Sequence, residues 1–130
     1  MRPSWMLLLL TAIVGCNSGP SSSTLFGKPW TLVELNGQPV SLAKPPTLIF
    51  ESPDHVGGFG GCNRLSGTFE IKQNQLSFSP LIMTKMACAE GMDVESAFAT
   101  ALGETKQYTI KGSEMELIGD AGTLAKLSAE

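Results

Sequence analysis

Basic side chains are scarce in this chain of 130 residues. Nine Lys and Arg stand against twelve Asp and Glu, which gives a formal net charge of −3, and no two basic residues are adjacent. A protein that binds nucleic acid needs clustered Lys and Arg to displace the counterions of the phosphates. The composition therefore excludes a nucleic-acid-binding protein.

Histidine occurs once, as His55, in a predicted Pro-Asp-His turn. A Ser-His catalytic pair would depend on that residue, and no serine lies in a Gly-x-Ser-x-Gly segment. A tetrahedral metal site would need carboxylates, and these have no recognisable spacing. The glycine-rich residues 57–67 lack the Lys-Ser/Thr of a phosphate-binding loop. We predict no catalytic residue, metal or cofactor, and hence no enzyme; the alternative is a small-ligand carrier or an enzyme with a pocket between sheet and helix.

A hydrophobic run long enough to cross a membrane is missing near the N-terminus. The apolar stretch there ends at Cys16, whereas a transmembrane helix needs ~20 apolar residues. Arg2, the short apolar run and the small residues that follow predict an export signal at residues 1–15. The segment Ile13-Val14-Gly15-Cys16 resembles the lipobox of bacterial lipoproteins, which implies cleavage before Cys16 and acylation of that cysteine. The alternative is an ordinary secretory signal that contains a cysteine.

The residues after the predicted cleavage point fit a lipid-anchored protein. Residues 16–24 are small and polar apart from Cys16, so we predict a flexible tether, followed by one domain at residues 25–130. Asn17 resembles a sorting signal that favours the outer membrane. The sequence thus predicts a monomer in the bacterial cell envelope, anchored through its lipid to the outer membrane and facing the periplasm.

Cysteine is also rare, with three residues in all. An odd number in an exported protein would leave a free thiol, but a lipidated Cys16 leaves Cys62 and Cys88 as a pair. In an oxidising compartment two such cysteines usually form a disulfide, which is our prediction. Metal binding, a redox-active pair and free thiols remain as alternatives.

Short segments of alternating apolar and polar residues make up most of the predicted domain. Two of them flank Gln73-Asn74 and predict a β-hairpin. One segment has helical periodicity, with Asp93 as the predicted N-cap and Gly103 at the end. We predict an α+β fold in which an antiparallel, partly barrel-like β-sheet packs against a single α-helix. The predicted strands are residues 29–35, 47–51, 56–60, 67–72, 75–79, 106–111, 114–118 and 123–127, and the apolar helical positions are Val94, Ala97, Phe98, Ala101 and Leu102.

The glycine-rich residues 57–67 predict a tight loop, because glycine permits sharp turns and close approach of backbones. Asn63 and Arg64 follow Cys62 in this loop and are the candidate partner-binding residues. In a structural interpretation, Asn63 orders the turn and Arg64 pairs with a nearby carboxylate such as Glu70. In a functional interpretation, the loop presents the Arg64 guanidinium to a carboxylate or phosphate of a partner.

Several segments form a recognisable set: Trp30-Thr31-Leu32, Gly60-Gly61-Cys62-Asn63-Arg64-Leu65-Ser66-Gly67-Thr68-Phe69, Thr84-Lys85-Met86-Ala87-Cys88, Glu95 with Phe98 and Leu102, and Tyr108 with Ile110. Together they resemble the META domain family, which includes the HslJ-like heat-shock lipoproteins. The resemblance covers residues 25–127 and implies a small mixed α/β domain of exported bacterial proteins, connected with stress response and with secretion or motility. It brings no established enzymatic activity or ligand. We therefore expect a non-enzymatic envelope lipoprotein that binds an envelope protein partner in stress response or envelope assembly.

Overall fold

The computed structural model describes residues 24–129, which contain ten β-strands and one α-helix. The predicted signal at residues 1–15, Cys16 and the tether as far as residue 23 lie outside the described residues. Between residues 24 and 129, no helix is long and apolar enough to cross a membrane. The elements are β1 (Pro29–Leu35), β2 (Gln38–Pro39), β3 (Thr47–Glu51), β4 (His55–Phe59), β5 (Arg64–Lys72), β6 (Gln75–Phe78), β7 (Ile82–Met83), α1 (Met92–Glu104), β8 (Gln107–Lys111), β9 (Glu114–Gly119) and β10 (Gly122–Ala129).

The strands form one antiparallel sheet that closes on itself. The sheet runs in the order β10-β9-β8-β6-β5-β4-β3-β1-β2, and β7 pairs with β5 outside this order. Strand β10 also pairs with β1, and this pairing closes the sheet. Strand β6 meets β8 through a single residue pair, Gln75 with Gln107, and α1 packs against β6, β9 and β10. The prediction of an α+β fold with an antiparallel, barrel-like sheet and one helix is confirmed.

Alternate residues of the strands form the hydrophobic core, because successive side chains of a strand point to opposite faces of the sheet. Trp30 is fully buried, and its indole N–H donates to the carbonyl of Leu25 at 3.0 Å. Tyr108 is also fully buried, but its hydroxyl has no hydrogen-bond partner among the described residues. Of these two buried aromatic side chains, Trp30 therefore has a hydrogen-bond partner for its polar group, and Tyr108 has none among the described residues.

A β-bulge in β1 explains why both Leu32 and Leu35 are buried although three positions separate them. Leu32 faces Leu127 of β10 and Glu34 faces Lys126, so Val33 is the extra residue between them. Val33 is 43% exposed, whereas the strand resumes its inward alternation at Leu35. The bulge thus keeps the apolar residues of both halves of β1 in the core.

The helix begins and ends differently from the prediction. It starts at Met92, with Gly91 as the N-cap at φ 89°, and no side chain caps it. Asp93, the predicted cap, therefore lies within the first turn. At the other end Gly103 lies inside the helix, which continues to Glu104.

Candidate functional site

Glu95 connects the helix to the cysteine loop, which is the connection between β4 and β5 at residues 60–63. This side chain is 7% exposed. Its Oε2 accepts the backbone N–H groups of Cys62 at 2.8 Å and of Asn63 at 2.5 Å. Its Oε1 accepts the side-chain amide N–H of Asn63 at 2.7 Å. A buried charge is tolerated where hydrogen bonds compensate its lost hydration, and three donors do so here.

Burial raises the pKa of the Glu95 carboxyl, but the hydrogen bonds from Asn63 and Cys62 lower it by more. The net result is a pKa below the ordinary value of a glutamate. Donors that point at a carboxylate stabilise its charged form and not its protonated form. The Glu95 side chain is therefore a fixed negative charge in the first turns of α1 at neutral pH.

Asn63 extends this hydrogen-bonded network to the segment that ends at Cys88. Its Oδ1 accepts the backbone N–H of Met86 at 2.7 Å and the hydroxyl of Thr84 at 3.2 Å. Only 4% of Asn63 is exposed. Asn63 therefore orders the loop, as the structural interpretation has it, and its side chain is used inside the protein rather than at the surface.

Two glycines allow the loop to touch the helix. Gly61 has φ 128° and Gly91 has φ 89°, both in the range that favours glycine. A Cβ on Gly61 would lie 2.6 Å from the carbonyl oxygen of Gly91, and one on Gly60 would lie 2.8 Å from Cγ of Glu95. The glycine-rich composition thus serves a close approach of two backbones around the buried carboxylate.

Cys62 and Cys88 form a disulfide, with their Cα atoms 5.8 Å apart. The bridge joins the loop to the same segment that Asn63 contacts. The backbone at Cys62 and Asn63 is therefore fixed in three ways. The disulfide joins it to Cys88, the Glu95 carboxylate accepts its N–H groups, and the Asn63 side chain is hydrogen-bonded to Thr84 and Met86.

Arg64 is the first residue of β5 and lies at the surface. The predicted tight loop at residues 57–67 is therefore shorter than expected: residues 57–59 belong to β4, residues 64–67 belong to β5, and residues 60–63 connect them. The Arg64 backbone is fixed by Thr84, whose N–H donates to the Arg64 carbonyl at 3.1 Å and whose hydroxyl accepts the Arg64 N–H at 3.1 Å. The expected ion pair with Glu70 is wrong: six positions of β5 separate the two residues, about 20 Å along a strand. Among residues 24–129 the ion pairs within 4.0 Å are those of Lys126 with Glu34 and Glu116.

The grooves found among the described residues are partly open to solvent. The groove between sheet and helix, where a small ligand would bind under the alternative function, has a volume of about 270 Å³ and is open to solvent. Within residues 24–129, no group of three His, Cys, Asp or Glu is placed to hold a metal ion. The groove is lined by Phe78, Ser79, Pro80, Leu81, Met83, Ala99 and Gly103.

Sequence reasoning included Glu95 in the family resemblance but assigned it no role. A signal was present, because Glu95, Phe98 and Leu102 are spaced i, i+3 and i+7 and so lie on one helical face. Phe98 and Leu102 are buried. A carboxylate on an apolar face needs hydrogen-bond donors, and the amide-rich loop that follows Gly60 supplies them.

The chain is similar to a known protein family and to several known proteins. The sequence profile of the META domain family matches residues 23–130. The heat shock protein HslJ of Escherichia coli (strain K12) is 29% identical over 98 residues, which span 73% of this chain and 69% of HslJ. A protein from Burkholderia xenovorans, solved by NMR, has a TM-score of 0.69 at 23% identity, with 100% of this chain and 97% of that chain covered. A DUF4847-family protein from Bacteroides vulgatus ATCC 8482 has a TM-score of 0.63 at 13% identity, with 82% and 95% covered.

The two structural likenesses show that the closed sheet with one helix is a recurrent fold. The match to the family profile extends over all the described residues, and HslJ aligns with most of the chain. The predicted resemblance is therefore confirmed. This chain belongs to the META domain family.

Proposed function

We propose that the protein is a non-enzymatic lipoprotein of the bacterial cell envelope, whose META domain binds an envelope protein in stress response or envelope assembly. The observation that carries the proposal is the arrangement at Arg64. Its backbone adjoins the disulfide and the Glu95–Asn63 network, while its side chain is exposed and takes part in no ion pair among residues 24–129. A guanidinium held in this way can bind a carboxylate or phosphate with two parallel hydrogen bonds.

Other features support the proposed location, cellular role and type of partner. The lipobox-like segment before Cys16 supports a lipid anchor, and Asn17 supports a position at the outer membrane, facing the periplasm. The name of the relative HslJ, a heat shock protein, supports a role in stress response. The open form of the sheet–helix groove favours a protein partner over an enclosed small ligand.

The test is crosslinking in intact cells followed by mass spectrometry. The full chain is compared with Arg64→Ala, and Lys111→Ala serves as the matched control because Lys111 is an exposed cation in the β8–β9 hairpin. We expect a partner that is captured by the parent and the control and is lost with Arg64→Ala. The proposed function of the surface at Arg64 would be contradicted if Arg64→Ala still captured the partner, or if no partner were captured at all.

A further inference from the structure

Two rows of outward-facing residues cross the sheet beside Arg64. Phe59 faces Arg64 across β4 and β5, and Arg64 is hydrogen-bonded to Thr84 on its other side. Arg64 points outward, since the next residue of the strand, Leu65, is buried and successive side chains alternate between the two faces. We call the row that contains Arg64 the arginine row, and the parallel set two residues along the strands the isoleucine row. The arginine row is Thr31, Thr47, Phe59, Arg64 and Thr84, and the isoleucine row is Pro29, Ile49, Gly57, Ser66 and Ile82.

Neither row contains a carboxylate, although acidic residues outnumber basic ones in the chain. A second cation lies over the cross-strand neighbour of Arg64: the Nζ of Lys44 lies 4.3 Å from the centre of the Phe59 ring. An ammonium group over an aromatic ring is held there by the negative face of the ring. In the described part of the chain, neither Lys44 nor Arg64 takes part in an ion pair. The part of the arginine row at Phe59 and Arg64 thus carries two cations, and the row has no carboxylate.

The isoleucine row supplies an apolar contact at a defined distance. Ile82 is 74% exposed, more than any other large apolar side chain of the described residues. Ile82 is the diagonal neighbour of Arg64, since it pairs with Ser66 on the adjacent strand. Diagonal side chains of neighbouring strands lie about 7–8 Å apart. An extended peptide has a similar spacing, about 6.6 Å, between residues i and i+2, whose side chains lie on one face.

We propose that the partner binds this face with an extended acidic segment, in which a carboxylate at position i contacts Arg64 and Lys44 and an apolar side chain at position i+2 contacts Ile82. The inference rests on the proposed function and specifies the chemistry of its partner. Charge complementarity selects an anion, and the spacing of the two rows selects a peptide over an anion without regular spacing.

Binding of two fluorescein-labelled peptides to the full chain in neutral detergent tests the proposal. Both peptides contain one Glu, one Leu and five Ser; Glu and Leu stand at i and i+2 in the first and at i and i+1 in the second. We expect the first to bind at least about fivefold more tightly, because only there do both side chains lie on one face. We expect Arg64→Gln to weaken its binding about tenfold, equivalent to about 1.4 kcal/mol.

Lys44→Gln and Ile82→Ser should each weaken binding about threefold, while Lys111→Gln should leave it unchanged. Equal binding of the two peptides, no binding of either, or tighter binding to anionic lipid vesicles than to the first peptide would overturn the inference. The proposed function would still stand in those cases if the partner captured in cells depends on Arg64. Loss of that dependence would instead overturn the proposed function.

Discussion

Replacement of Glu95 tests whether its carboxylate holds the cysteine loop on the helix. Glu95→Ala leaves three buried donors without their acceptor: the backbone N–H groups of Cys62 and Asn63 and the Asn63 amide. Each unsatisfied buried donor costs about 1–3 kcal/mol. Because neighbouring contacts are not additive, we expect a loss of about 3–5 kcal/mol in the free energy of unfolding.

Glu95→Gln is the sharper variant because it keeps the size of the side chain. A glutamine oxygen can accept both backbone N–H groups, but its amide nitrogen then faces the amide nitrogen of Asn63, and two donors oppose each other. Asn63 cannot turn its oxygen toward it without giving up Met86 and Thr84. We expect a loss of about 1.5–3 kcal/mol, the value of a hydrogen bond to a charged group.

Thermal and urea unfolding followed by circular dichroism measure these losses. One kcal/mol corresponds to about 3–6 °C for a domain of this size, so Glu95→Gln should lower Tm by roughly 10 °C. Glu104→Gln is the matched control, since Glu104 is exposed in the last turn of the same helix. The control should remain within about 0.5 kcal/mol of the parent. A Glu95→Gln protein as stable as this control would refute the reasoning.

The pH dependence gives an independent check. A carboxyl whose pKa is lowered by folding stabilises the protein fully above its unfolded pKa, near 4.3, and loses this contribution as the pH falls through the folded pKa. The pKa of Glu95 is lowered in the folded protein. The stability difference between the parent and Glu95→Gln should therefore be constant at neutral pH and shrink below about pH 4. A difference that grows in acid would contradict the lowered pKa.

Three further predictions concern other residues. Reduction of the Cys62–Cys88 disulfide, whose cysteines are 26 positions apart, should remove about 3.5 kcal/mol and lower Tm by more than ten degrees in a reductant titration; an unchanged Tm would contradict a stabilising bridge. Tyr108→Phe should leave the free energy of unfolding unchanged or raise it by about 1 kcal/mol, since it removes a buried hydroxyl that has no hydrogen-bond partner among the described residues; a loss above 1 kcal/mol in urea would show that the hydroxyl is satisfied. Cys16→Ser should abolish incorporation of labelled palmitate and membrane association of the chain, and continued labelling would contradict lipidation at Cys16.

Local sequence patterns were sufficient for much of the fold. The hairpin around Gln73-Asn74 was predictable because alternation on both sides and a turn signal agree, and the structure pairs Lys72 with Gln75 there. The apolar stripe of α1 was predictable for the same reason, since a single face carries it. These elements depend on residues close together in the chain.

Features that depend on distant contacts were not predictable. Gly91 caps the helix where its backbone meets Gly61, thirty positions earlier, so local propensity favoured Asp93 instead. The bulge at Val33 arises from pairing with β10 at the far end of the domain. The role of Glu95 likewise depends on donors from a loop that sequence proximity does not reveal.

The pairing of β1 with β10 also constrains when the protein can fold. Trp30 at the start of the domain lies beside Ala129 in the closed sheet, so nearly the whole domain must be available before the ring can close. Pairing across such a distance in sequence is slow, because a long loop must be ordered before the contact stabilises it. During synthesis from the N-terminal end, β1 would remain unpaired on this side until the last strand has been made. Closure of the sheet would then be completed only after the whole domain has been synthesised.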